Sequence, residues 1–169
     1  ERVAEFEKKF ADYCGATHAV AMNNGTAALH AALLAADIGP GDEVIVPSFT
    51  FFATASSVSM TGAKPVFVDV NEKTFCIDPD QVENHITPKT KAVIGVHLFG
   101  QPFDTQGIKQ VCESHNLTLI EDAAQAQGAM WNSEKAGSMG HMGCFSFYAT
   151  KNMTTGEGGM VTTGDKALN

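Results

Sequence analysis

The sequence predicts an α/β fold: a three-layer α/β/α sandwich built on a mostly parallel sheet of about seven strands. Short apolar or β-branched runs alternate along the chain with amphipathic or alanine-rich segments of helical length. Parallel strands need crossover segments of this kind, because each connection must return along the sheet. Hydrophobic residues make up 44% of the 169 residues and charged residues 18%, which is enough apolar material for a packed core.

Five segments are predicted to be helical. In the first, Val3, Phe6, Phe10 and Cys14 recur at helical spacing, and Gly15 supplies a stop signal. The second and third cover residues 26–36 and 51–60. Asp78 and Pro79 form an N-cap and N1 pair that opens a short fourth helix, and Asp104 or Thr105 caps a fifth that reaches His115.

Seven runs have the composition of buried strands, with continuous apolar or β-branched residues. They cover residues 19–22, 43–47, 65–70, 92–97, 118–121, 144–148 and 159–163. No internal repeat, low-complexity tract or linker separates them, so residues 1–169 are expected to form one domain. The chain begins at Glu1, without an initiator methionine, and stops directly after a strand-like run, and we therefore expect this domain to be incomplete at both ends.

Composition argues against several classes of partner. The formal net charge is −8 and no Lys/Arg cluster is present, which disfavours nucleic acid. The apolar stretches are shorter than the roughly 18 residues of a membrane span, so a cytoplasmic location is the default expectation. The cysteines at 14, 76, 112 and 144 have no CxxC spacing and are predicted to be buried free thiols. Cys112 and His115 lack a second ligand pair, and no metal site is expected.

Polar residues that follow strands are the candidates for a ligand site, because ligands of such sheets collect beyond the carboxyl ends of the strands. Asn24, Gly25 and Thr26 lie between a strand and an alanine-rich helix. A helix start of this kind offers free N–H groups and a positive dipole end to a phosphate. An ordinary N-cap by Asn24 or Thr26 explains the same residues equally well.

Asp122, Lys151 and Phe51 complete the set of candidates. Asp122 follows a strand and is either a ligand-binding acid or a helix cap or solvated loop acid. Lys151 is a candidate Schiff-base amine if its pKa is depressed, although a single lysine is more often a solvated surface residue. Taken together, a phosphate cradle, an acid for a heterocyclic nitrogen, an aromatic ring for stacking and an amine are what pyridoxal 5'-phosphate (PLP) requires.

Five motifs resemble the DegT/DnrJ/EryC1/StrS family of PLP-dependent sugar aminotransferases, which have the aspartate aminotransferase fold. They are NGTAALH at 24–30, GPGDEVIVPS at 39–48, EDAAQ at 121–125, CFSFYATKN at 144–152 and GEGG at 156–159. The resemblance runs in order over nearly the whole chain. It implies that a segment before Glu1 and a small C-terminal domain after Asn169 are absent from this chain.

The resemblance also implies roles for individual residues. Lys151 would form the Schiff base with PLP and shuttle protons, and Asp122 would pair with the ring nitrogen. The remaining cofactor-binding residues are Gly25, Thr26, Ala27 and Ser146 at the phosphate, Phe51 stacked on the ring, and Gln125 near the phenolic oxygen. His97 ends a strand at the same edge and could approach the cofactor, but a hydrogen-bonded structural histidine is the favoured interpretation.

The activity implied by the resemblance is transfer of an amino group from glutamate or glutamine to a keto group of a nucleotide-linked deoxysugar. Relatives that dehydrate the sugar carry histidine at the lysine position, so Lys151 favours the aminotransferase over a PLP-dependent sugar dehydratase. A catalytically inactive chain that binds PLP or a nucleotide sugar is the other alternative. The family also implies a homodimer in which the second subunit completes each site.

Overall fold

A computed structural model of the chain describes residues 1–166. Its α-helices are α1 (Arg2–Cys14), α2 (Gly25–Ala35), α3 (Phe52–Met60), α4 (Pro79–Asn84) and α5 (Thr105–His115). Its strands are β1 (His18–Met22), β2 (Glu43–Pro47), β3 (Lys64–Val68), β4 (Thr90–Val96), β5 (Thr118–Asp122), β6 (Met130–Trp131), β7 (Glu134–Lys135), β8 (Met142–Ser146) and β9 (Gly159–Thr163). Residues 167–169 of the predicted domain lie outside this description.

Seven of the strands form a single sheet in the order β1-β9-β8-β5-β4-β2-β3. Strand β9 runs antiparallel to both of its neighbours, β1 and β8, while the pairs β8/β5, β5/β4, β4/β2 and β2/β3 are parallel. The predicted α/β class and the mostly parallel sheet of about seven strands are therefore confirmed.

Helices cover both faces of the sheet. On one face, Leu29 and Leu33 of α2 and Val58 of α3 pack with Ile120 and Cys144 of the central strands. On the other face, α4 and α5 pack against β2, β4 and β5, and α1 packs against β8 and β9. One face buries one apolar cluster and the other face buries two, so the sheet is the middle layer of a three-layer sandwich.

Strand β8 ends earlier than its residue composition predicts. The apolar run continues to Tyr148, but the paired strand stops at Ser146. After Ser146 the chain bonds to the loop before β9, since Phe147 N–H donates to the Gly158 carbonyl and the Phe147 carbonyl accepts from Thr155 N–H. Phe147 is still buried against α1, which explains why the run stays apolar after the strand ends.

The small hairpin of β6 and β7 is not predicted by the sequence. Its two strands have only two residues each, too few for a recognisable alternation. The turn residues Asn132 and Ser133 both have positive φ, at 47° and 71°, as the two-residue turns that match strand twist require. The four cysteines are free and buried, as predicted. No helix within residues 1–166 is both long and apolar enough to cross a membrane.

Candidate active site

A cavity of about 370 Å³ opens at the carboxyl ends of β1, β5 and β8. This volume lies in the range typical of small-molecule and cofactor sites. The wall contains most of the residues singled out by the sequence: Gly25, Thr26, Phe51, Asp122, Gln125, Ser146 and Lys151. Ala27 and His97 are not part of the wall. The structure thus brings together residues that are up to 126 positions apart in the chain, from Gly25 to Lys151.

The N-terminus of α2 forms one side of this cavity. Asn24 is the N-cap residue, and its Oδ1 accepts a hydrogen bond of 2.8 Å from Ala27 N–H. Ala28 N–H donates to the Asn24 carbonyl. Gly25 N–H and Thr26 N–H have no acceptor among residues 1–166, so these two groups are available to an anion at the positive end of the helix. The sequence left N-capping and anion binding as alternatives. The two are compatible here, because the Asn24 cap uses Ala27 N–H and leaves Gly25 N–H and Thr26 N–H open.

Glycine allows the start of α2 to approach the ends of β8 and β9 closely. A Cβ added to Gly25 would lie 2.8 Å from Ser146 Cβ, and one added to Gly159 would collide with the Asn24 carbonyl. The Ser146 side chain is buried and lines the cavity beside Thr26. The phosphate cradle therefore consists of three chain segments: the start of α2, the end of β8 and the start of β9. No single local motif specifies it.

Gln127 holds the Ser146 end of this cradle in place, a role that the sequence did not predict. It is 8% exposed, and its Nε2 donates a 2.7 Å hydrogen bond to the Ser146 carbonyl. Its Oε1 is buried and has no partner among the described residues. The sequence offers no signal for this role, because a glutamine in the EDAAQAQ run does not reveal which strand end it contacts.

Asp122 is the buried acid of the cavity. Its Oδ2 accepts a 2.7 Å hydrogen bond from the Thr54 hydroxyl, and its Oδ1 accepts one of 3.2 Å from Ala124 N–H. Burial raises the pKa of Asp122 above its usual value, and these two hydrogen bonds and the nearby His97 and Lys151 act in the opposite direction. Because Asp122 is the last residue of β5, its carboxylate is held at the cavity by a rigid strand end.

Lys151, Phe51 and Gln125 lie in loops or at a helix start around the same cavity. Lys151 follows a turn in which its N–H donates to the Tyr148 carbonyl. Phe51 is the N-cap residue of α3 and is 73% exposed, so one face of its ring is free to meet a ligand. Gln125 Oε1 accepts a 2.7 Å hydrogen bond from Phe99 N–H, which ties the loop after β4 to the loop after β5.

His97 is a buried structural residue. Its Nε2 lies 2.8 Å from Glu121 Oε2, and its ring stacks on Phe103 with centroids 4.6 Å apart. Glu121 also accepts from Gly137 N–H, Met139 N–H and Gly140 N–H at 2.6–2.8 Å. The structural interpretation of His97 therefore holds at Nε2, while Nδ1 has no partner among the described residues. The role of Glu121 was missed, although a glutamate inside an apolar run is a signal for a buried, fully bonded acid.

The sequence model of the DegT/DnrJ/EryC1/StrS aminotransferase family matches residues 1–169. The chain belongs to this family. It is 56% identical over 166 residues to the GDP-perosamine synthase of Caulobacter vibrioides, covering 98% of this chain and 45% of that protein. The chain thus spans about half the length of the curated relatives it matches.

Solved structures give the same result. An aminotransferase from Psychrobacter cryohalolentis superposes with a TM-score of 0.97 at 51% identity, covering 98% of this chain and 42% of that one. The PLP-form of the putative sugar aminotransferase Spr1654 from Streptococcus pneumoniae has a TM-score of 0.95 at 35% identity, covering 100% of this chain and 47% of that one. Both likenesses extend over nearly the whole of this chain.

The residues present fit PLP in this DegT/DnrJ/EryC1/StrS chain. The two open N–H groups at the start of α2 suit a phosphate, and Gly25 leaves the space beside Ser146 that a Cβ would fill. Asp122 offers a carboxylate for a ring nitrogen, and Lys151 offers a primary amine in the same cavity. The phosphate, the ring nitrogen and the aldehyde of PLP would therefore each find a group of the required chemistry in this cavity.

Proposed function

We propose that the protein is a PLP-dependent aminotransferase that transfers an amino group from glutamate or glutamine to a keto group of a nucleotide-linked deoxysugar. The observation that carries this proposal is the convergence of Lys151, Asp122 and the α2 N-terminus on one cavity. The family is an aminotransferase family, and the name of the Caulobacter relative denotes synthesis of a GDP-linked amino sugar.

Each residue of the cavity has a defined task in this proposal. Bound PLP supplies an electron-withdrawing ring that stabilises negative charge at the substrate carbon. Gly25 and Thr26 N–H and the Ser146 hydroxyl would hold the phosphate, while Asp122 would keep a proton on the ring nitrogen. Lys151 Nζ would bind the aldehyde end and, when free, carry a proton to or from the substrate. Ala27 would contribute less to phosphate binding than Gly25 and Thr26, because its N–H already donates to Asn24 Oδ1.

Two alternatives lead to different observations. A PLP-dependent sugar dehydratase is disfavoured because the position after the FSFYAT run is Lys151 and not histidine. An inactive protein that binds PLP or a nucleotide sugar would retain the cradle and Asp122 but would not react with an amino donor. A reaction with the donor therefore separates the proposal from the second alternative.

We also propose that the active assembly is a homodimer with the cavity at the interface. Three large apolar side chains beside the cavity are strongly exposed: Phe51 at 73%, Phe52 at 77% and Phe99 at 77%. Exposed apolar groups of this size indicate a protein contact surface, and a second copy is the commonest partner in soluble oligomers. Sedimentation with and without PLP tests this proposal, and a stable monomer with tight PLP binding would contradict it.

A cytoplasmic location fits the cysteines. Burial raises the pKa of Cys14 and of Cys112 to about 12, so these thiols are protonated and unreactive. Four free thiols in one chain are typical of a reducing compartment. The substrate pair, a nucleotide sugar and an amino acid, is consistent with that location and requires neither nucleic acid nor membrane.

The experiment that tests the proposed function starts from the purified protein incubated with PLP. We expect a visible absorption band that borohydride abolishes, and peptide mapping should place the reduced adduct on Lys151. Addition of glutamate or glutamine should bleach the band and release the corresponding 2-oxo acid. Lys151→Ala should lose both signals. Lys91→Ala should lose neither, because Lys91 lies at the amino end of β4, at the opposite edge of the sheet from the cavity. An adduct on another lysine would contradict the assignment.

A further inference from the structure

A chain of two hydroxyl groups connects Asp122 to the wall of the cavity. Thr54 Oγ1 lies 2.7 Å from Asp122 Oδ2 and 2.9 Å from Thr50 Oγ1. Thr54 is completely buried on α3 and does not line the cavity, whereas Thr50 does. Neither threonine belongs to the residues assigned to the cofactor above.

The charge of Asp122 decides the direction of these hydrogen bonds. An ionised carboxylate only accepts, and a hydroxyl has a single proton. When Asp122 is ionised, Thr54 must donate to Oδ2, so the bond between the threonines has Thr50 as its donor. When Oδ2 carries a proton, Asp122 can donate a hydrogen bond to Thr54 Oγ1. Thr54 then donates to Thr50, and the Thr50 hydroxyl is free to donate a hydrogen bond into the cavity.

We propose that Thr54 is a positioning residue that holds the Asp122 carboxylate for the ring nitrogen, and that Thr50 reports the charge of Asp122 at the cavity wall. Thr50 presents an acceptor when Asp122 is ionised and a donor when it is protonated. The part concerning the ring nitrogen rests on the proposed function. The hydrogen-bond chain itself does not.

The length of its hydrogen bond to Asp122 supports a specific role for Thr54. Its bond to Asp122 is shorter than the 3.2 Å bond from Ala124 N–H, so Thr54 is the tighter of the two constraints on the carboxylate. Charge-assisted hydrogen bonds of this length are also stronger than neutral ones. Valine has nearly the shape of threonine, so it would fill the site without restoring the hydroxyl.

Other groups around Asp122 also affect its titration and must stay constant in a test. His97 and Lys151 favour its ionised form. Glu121 precedes it on β5, and Cys144 is its partner in the register of β5 and β8. None of these four residues is changed in the variants below.

The test measures the titration of Asp122 directly. Protein with ¹³C-labelled aspartate, free of PLP, is titrated by NMR for the wild type, Thr54→Val and Thr54→Ser. We expect the Asp122 midpoint to move upward in Thr54→Val, because the carboxylate loses a donor, and to stay near the wild-type value in Thr54→Ser. PLP affinity should fall about tenfold in Thr54→Val and recover in Thr54→Ser.

An unchanged midpoint in Thr54→Val would overturn the proposal. If that variant does not fold, Thr50→Val gives a second measurement: a smaller upward shift supports the chain, and no shift contradicts it. Because the titration needs no cofactor, its outcome is independent of the proposed function. Wild-type protein that fails to bind PLP would contradict the proposed function and leave the hydroxyl chain intact.

Discussion

Glu121 and Asp122 are adjacent on β5, yet their carboxylates lie on opposite faces of the sheet, as successive strand residues do. Glu121 is 0% exposed and its two oxygens accept hydrogen bonds from His97 and from three backbone N–H groups. Asp122 faces α3, where it accepts two hydrogen bonds and lines the cavity.

The difference lies in what surrounds each carboxylate. The partners of Glu121 are all internal, so its charge serves to hold the loop 137–140 and His97 in place. Asp122 has fewer internal donors and faces the cavity, so its charge is available to a ligand. A buried acid with a complete set of partners is a structural element, and a buried acid with an incomplete set at a cavity is a candidate functional group.

The largest expected effect on stability comes from Glu121→Ala. The change leaves three backbone N–H groups, two of them buried, and the buried His97 without their acceptor, and we expect a loss of about 3–5 kcal/mol in the free energy of unfolding. Urea denaturation measures it. The matched control is Asp122→Asn, which keeps the shape of the side chain and should change stability by less than about 1 kcal/mol. Equal losses in the two variants would remove the distinction between the two acids.

Asp122→Asn should instead reduce the rate of transamination. The neutral amide cannot keep a proton on the ring nitrogen, and we expect the rate to fall on the order of a hundred-fold, equivalent to about 2.7 kcal/mol in the barrier. The variant should still bind PLP, because the phosphate cradle is intact. Single-turnover kinetics with glutamate measures the effect. Turnover close to that of the wild type would show that Asp122 is not the partner of the ring.

The smallest effect is a pH dependence of stability. Burial raises the pKa of Asp122 in the folded protein, while the unfolded value is about 3.9. Ionisation of Asp122 therefore costs folded stability, and the cost develops as pH rises from the unfolded pKa through the higher folded one. Asparagine does not ionise, so the stability of Asp122→Asn relative to wild type should increase between about pH 4 and pH 7. Urea unfolding across this range checks the sign, and a relative stability that decreases with pH would contradict it.

The sequence predicted the elements well because their signals are local. Gly15 ends α1 with φ 80°, and Asp78 with Pro79 opens α4, as the capping rules expect. The ends of the strands were predicted less accurately. The predicted run 144–148 includes Phe147, which is apolar because it packs against α1 and not because it belongs to β8.

The sequence predicted the parts of the site that depend only on the order and direction of the strands. Parallel strands place their carboxyl ends at one edge, so Asp122 and the start of α2 were expected there together with Lys151. The roles of Gln127 and Thr54 were not predictable, because each depends on a contact between segments that are distant in the chain.

By itself the sequence determined the class of fold, the alternation of helices and strands and the chemical types of the candidate site residues, since these follow from periodicity, capping and residue chemistry. Only the tertiary structure decided which neighbouring acid faces the cavity, which N–H groups at α2 remain open and which hydroxyl holds Asp122. These properties depend on side-chain direction and on packing between strands and helices, and a one-residue change of register would reverse them.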